Sequence, residues 1–133
     1  MRKSEIYRMA RERLRGRWTQ HAFGSVGGRV CAMGAIRWCG AFTMSQDGVL
    51  PYGTHDREEH MKVQADFRSR ALALHGISVE SFNDFIDTEE HDVLSLFDHV
   101  ISEVSQEEAM AEARAIVENC PAGVLDRGEL AMV

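Results

Sequence analysis

Apolar and charged positions follow a helical period along most of the chain. Ile6, Met9, Ala10 and Leu14 recur three or four residues apart, with Arg8, Arg11 and Arg15 on the other side. Ser4 stands where a cap would, and Gly16 where a helix over 5–15 would end. Trp18 to Phe23, Val26 and Arg29-Val30 are β-prone. Gly27-Gly28 among them predicts at most one short β-hairpin, about 19–31. From Cys31 to Phe42 only Arg37 is charged, and both sides of the helical pattern are apolar. A helix apolar all round is buried, so 31–42 is the expected centre of the fold. Gly34 and Ala35 would let another element approach its backbone.

Asp47-Gly48 and Pro51-Tyr52-Gly53 mark a loop over 43–55. Asp56 and Glu59 read as a capping box before a helix over 57–75, which would bury Val63, Phe67, Ala71 and Leu74 and stop at Gly76. Residues 78–88 read as a connection. Asp87 and Glu90 form a second box, before a helix over 89–104 burying Val93, Phe97, Val100 and Val104. Ser105 and Glu108 form a third, opening a last helix to Asn119 with Met110, Ala113 and Val117 on one side and Cys120-Pro121 as its stop. The predicted fold is mainly α, or a small α+β: five helices around the buried central one. No strand–helix–strand rhythm supports a doubly wound sheet. One domain over 1–120 and a tail over 121–133, docked or frayed, complete the expectation.

Composition narrows the class. A chain of 133 residues, 44% hydrophobic and 27% charged, fits one globular domain. No apolar run approaches the ~20 residues of a membrane span, and no apolar stretch follows the charged N-terminus. The expectation is a cytoplasmic protein with no membrane partner. Charge is unevenly laid out. Residues 1–40 hold nine basic residues against two acids, and residues 79–133 two against fourteen. Such polarity points to pairing of the two ends, within one chain or across a homodimer, with Arg8, Arg11 and Arg15 as the partner-binding face. A basic arm for nucleic acid is the weaker reading, since the acidic remainder repels phosphate.

Trp18-x-Gln20, Gly28-Arg29-Val30-Cys31, Gly34-Ala35, Phe82-Asn83-Asp84 and Thr88…Asp92-Val93-Leu94 together resemble a family of short, uncharacterised actinobacterial and actinophage proteins. Phe82 stands where that pattern has Trp. The resemblance spans about residues 1–104, and the acidic last helix and tail look like an addition. It implies a bacterial or phage origin, hence a host cytoplasm if phage-encoded. It carries no catalytic residue with it.

Candidate chemistry centres on Cys31. Cys31, Cys39 and Cys120 are odd in number and not spaced for zinc or a disulfide framework, which suits reduced thiols. Cys31 follows a β-prone run and opens a helix, a placement that favours thiolate. A hydrolase or transferase built on Cys31 would need a base, for which His21 on the neighbouring strand is the candidate, oriented by Asn83 or Asp84. Against this stands Cys31 as a small buried hydrophobe, with Cys39 on the same face. Asn83-Asp84 between Phe82 and Phe85 reads more simply as a turn, its aromatics plugging the core. No histidine–carboxylate cluster suits a metal, and no cofactor is implied. The favoured function is a small non-enzymatic accessory or regulatory protein acting by protein contact. The alternatives are the Cys31 enzyme and nucleic-acid binding through the N-terminal arginines.

Overall fold

A computed structural model describes residues 1–25 and 27–119. The chain is mainly helical, with five helices among the described residues: α1 (Lys3–Leu14), α2 (Ala32–Arg37), α3 (His55–His75), α4 (Val79–Asp84) and α5 (Glu90–Glu118). The tail expected over 121–133 lies outside the described residues.

An aromatic row holds the three long helices together. The rings of Tyr7 on α1 and Phe67 on α3 lie 5.5 Å apart, and Phe67 lies 4.7 Å from Phe97 on α5. All three are fully buried. Burying each ring contributes roughly 2–3 kcal/mol. The Tyr7 hydroxyl donates to Asp66 (2.7 Å) and lies 3.0 Å from the Val63 carbonyl oxygen. Asp66 also meets Lys3 and Arg70, and Arg70 reaches across to Glu107 on α5 at 2.7 Å.

α1 runs antiparallel to α5 along a graded series of polar contacts. Arg2 pairs with Glu112, the Ser4 hydroxyl donates to Glu108, Arg8 to Ser105 (3.0 Å) and Arg11 to Asp98 (2.7 Å). At the far end Glu90 accepts from the backbone N–H groups of Gly16 and Trp18. The basic and acidic ends thus meet within one chain. Arg15 takes no part and stays exposed, 4.0 Å from Glu12.

Several local expectations are corrected. The helix expected over 31–42 has only six residues, though its buried Ala32, Met33, Ala35 and Ile36 do sit at the centre. Trp38 caps it, and Gly40, at φ +93°, turns the chain away. The hairpin reduces to isolated bridges of Val30 with Trp18 and with Gly24. The supposed connection over 78–88 contains α4, capped by the Ser78 hydroxyl. Ser105 opens no new helix: α5 runs through it to Glu118. Thr54 caps α3 in place of Asp56, Arg2 precedes α1 in place of Ser4, and Glu89 with Asp92 forms the box at α5. Leu74 and Phe85, expected in the core, are exposed.

Candidate functional site

The chain between α1 and α2 folds over α4, and Asn83 is the reason. Its Oδ1 accepts from the Trp18 indole N–H (2.8 Å) and the Ala32 backbone N–H (3.0 Å). Its amide donates to the Thr19 carbonyl (3.1 Å) and to Asp84 (3.0 Å). Gln20 adds bonds to the carbonyls of Asn83 and Phe85. The segment then crosses α2 so closely that a Cβ on Gly34 would sit 1.7 Å from the Phe23 carbonyl oxygen. The close approach expected at Gly34 is made by this loop.

Between this segment, α2 and α4 lies a cavity of about 190 Å³, lined by His21, Phe23, Cys31, Met33 and Asn83 among others. The three candidate catalytic residues therefore share one cavity. His21 holds φ +66°, unusual for a non-glycine residue. Its backbone N–H donates to Asp84 Oδ1 (2.8 Å), and its Nδ1 lies 3.6 Å from Oδ2. Burial raises the Asp84 pKa, but the hydrogen bonds from His21 and Asn83 and the nearby imidazole outweigh it and hold it below the usual carboxylate range. Asp84, rather than Asn83, stands against the imidazole.

Cys31 is the N-cap of α2, its Sγ accepting from the Gly34 N–H at 3.3 Å. Burial pushes the thiol up from its ordinary value, against these amide contacts, and Asp84 pushes it further. Among the described residues no hydrogen bond joins Cys31 to His21. The cavity gathers a thiol, an imidazole–carboxylate pair and an amide already fully bonded. It does not couple the thiol to a base, and the thiol stays protonated near neutral pH. Among the described residues no three His, Cys, Asp or Glu side chains converge as a metal would need.

A second cavity, of about 220 Å³, lies between the end of α2, the loop over 43–54 and the first turns of α3. Arg37, Arg57, His60 and Gln64 line it with Met44 and Met61. The sequence offered one signal of it: Arg37, the single charge in an otherwise apolar run. His60 is only 5% exposed and packs edge-on against Phe42 at 4.6 Å.

One comparison with known proteins bears on this architecture. A family of unknown function, DUF6197, matches residues 1–103. The chain belongs to this family. No curated protein matches it, and no solved structure does. The DUF6197 match takes in both cavities and ends within α5. Every residue of the Asn83 network lies inside it, and the distal part of α5 lies beyond.

Proposed function

We propose that this DUF6197 member is a non-enzymatic accessory protein that acts by protein contact, and that the distal half of α5 is its contact surface. One observation carries this. Val104 is the last fully buried residue of α5, and beyond it the apolar stripe changes sides. Ala113 follows Val104 by nine residues, about two and a half turns, so it points away from the core. Met110, Ile116 and Val117 flank it and are 60%, 66% and 52% exposed. Among the described residues nothing packs on this face, which suits a partner-docking element.

Charge selects the occupant. Residues 105–118 hold Glu107, Glu108, Glu112 and Glu118 against the one base Arg114; Arg70 and Arg2 offset Glu107 and Glu112, and the charge that remains is acidic. A second copy would bring like charges together, so a basic amphipathic helix of a partner protein fits better. Arg8 and Arg11 are engaged with α5, which leaves less of the N-terminal face for nucleic acid. A bacterial or phage origin and a cytoplasmic setting accompany this reading, on the strength of the sequence resemblance.

The test uses a synthetic helical peptide with leucine on one face and lysine on its flanks. Saturable binding to the full chain, lost in Ala113→Glu and Val117→Asp with unchanged helical content, supports the proposal. Equal binding by the variants overturns it. A concentration-dependent doubling of mass that the same variants abolish would overturn the choice of a basic partner in favour of a second copy. The Cys31 reading keeps one observation of its own, the shared cavity with His21 and Asp84. Rapid iodoacetamide modification of Cys31 at pH 6, slowed by His21→Ala, would favour it.

A further inference from the structure

The cavity between α2 and α3 gathers two guanidinium groups and no acid. Arg2, Lys3, Arg11, Arg68 and Arg70 each lie within 4.0 Å of a carboxylate. Arg37 and Arg57 do not, among the described residues, and no acid lines the space they share. Arg57 donates to the Leu50 carbonyl at 3.1 Å, and its guanidinium lies 5.5 Å from the Tyr52 ring centre. Arg37 stacks on Phe23 at 4.6 Å, and among the described residues its buried Nε has no hydrogen-bond partner. The Nε is closed off, but the terminal nitrogens of Arg37 are not, and neither they nor the Arg57 fork meet a carboxylate among the described residues, so the acceptor is one a ligand can supply.

The neighbours suit an anion. Gln64 and His60 stand one turn apart on α3, with the Gln64 amide nitrogen 2.9 Å from His60 Nδ1. Gly48, at φ +82°, comes so near the Trp38 ring that a Cβ there would lie 2.9 Å from it, with the Arg37 guanidinium at an ordinary contact distance of 3.6 Å. Met44 and Met61 supply an apolar wall. We infer that this cavity binds a small oxyanion head group, phosphate or carboxylate, carrying an apolar body, with Arg37 and Arg57 as its two cationic contacts. Guanidinium forks match both head groups, and the methionines adapt to the body. Burial and the charge of Arg37 hold the His60 imidazole neutral, with its pKa pushed down to about 4. An anion beside Arg37 offsets that charge, so His60 reports on occupancy.

The full chain is titrated with inorganic phosphate, phenyl phosphate and benzoate at constant ionic strength, following the His60 ring by NMR and binding by calorimetry. The expected result is saturable binding, tighter for the aromatic anions, with the His60 titration midpoint moving up. Arg37→Gln and Arg57→Gln should each weaken it about tenfold or more, the effect of removing a charge-assisted contact. Arg114→Gln, far along α5, should leave it unchanged. Phenyl phosphate binding without benzoate binding assigns the head group to phosphate, and the reverse assigns it to carboxylate. Should the Arg37 variant fail to fold, Arg57→Gln and the His60 shift still decide. Absence of saturable binding, or equal weakening by Arg114→Gln, overturns the inference.

Discussion

The indole N–H of Trp18 ends on the side-chain oxygen of Asn83, 2.8 Å away and 65 residues along the chain. The same oxygen takes the first N–H of α2. One amide thereby joins the segment after α1, the start of α2 and the end of α4. Replacing it with Leu leaves Trp18, Ala32 and Thr19 without partners in a site that is 2% exposed. Asn83→Leu should cost roughly 3 kcal/mol or more in denaturant unfolding. A variant within about 0.5 kcal/mol of wild type would show that these bonds do not hold the segment.

At Gly34 the constraint is space. A Cβ would meet the Phe23 carbonyl at 1.7 Å, and that carbonyl belongs to backbone that cannot swing aside like a side chain. Gly34→Ala should therefore destabilise by roughly 1–3 kcal/mol or more, despite the better helix propensity of Ala. Thermal melting at the wild-type temperature would refute the close crossing.

These two sites show what the sequence could and could not reveal. A small residue on an apolar helix announces a close approach, and Gly34 did so. It does not say what approaches. Asn83 was visible as a polar residue between aromatics, but a turn explains that pattern as well as a buried tie does, because both use the same side-chain bonds. The break expected at Ser105, where α5 is continuous, has a physical reason. The hydrophobic phase does break there, from the Val100–Val104 face to the Met110–Ala113–Val117 face, and a change of phase looks like a change of helix. Arg37 was legible only as an interruption, since its companions Arg57 and His60 come from another helix 20 residues on.

The two faces of α5 give a paired prediction. Val104 is fully buried and Val117 is exposed. Val104→Ala should cost roughly 2 kcal/mol, and Val117→Ala should stay within about 0.5 kcal/mol of wild type. Equal costs in urea unfolding would mean that the distal stripe is covered within the chain.

His60 sets a pH dependence. Its folded pKa is pushed down to about 4, by burial and then by Arg37, whereas an unfolded histidine titrates near 6.5. Between those values the unfolded chain binds a proton that the folded chain refuses. Stability is complete above about pH 6.5 and falls as pH drops toward 4, on the order of 3 kcal/mol. His60→Gln should flatten most of that slope. His75, lowered by burial and by His99, leaves a residue of it. An unaltered slope in the variant would place the titrating group elsewhere.

The Cys31 thiol is raised by burial and by Asp84. In a Cys39→Ser, Cys120→Ser background, iodoacetamide at pH 7 should modify the folded chain more slowly than the urea-unfolded chain. A faster reaction when folded would contradict the raised pKa.

The pairing of α1 with α5 has a consequence for how the molecule is made. Arg2 finds Glu112 across 110 residues of chain, and Gly16 finds Glu90 across 74. No partner for α1 along this seam exists until α5 has been synthesised. A nascent chain leaving the ribosome thus presents Tyr7, Ala10 and Leu14 uncovered by α5 until that helix has emerged. Loops this long close slowly, so the contacts of this seam form late. Chains released before α5 is complete would expose the aromatic row, and they are the species most prone to aggregate.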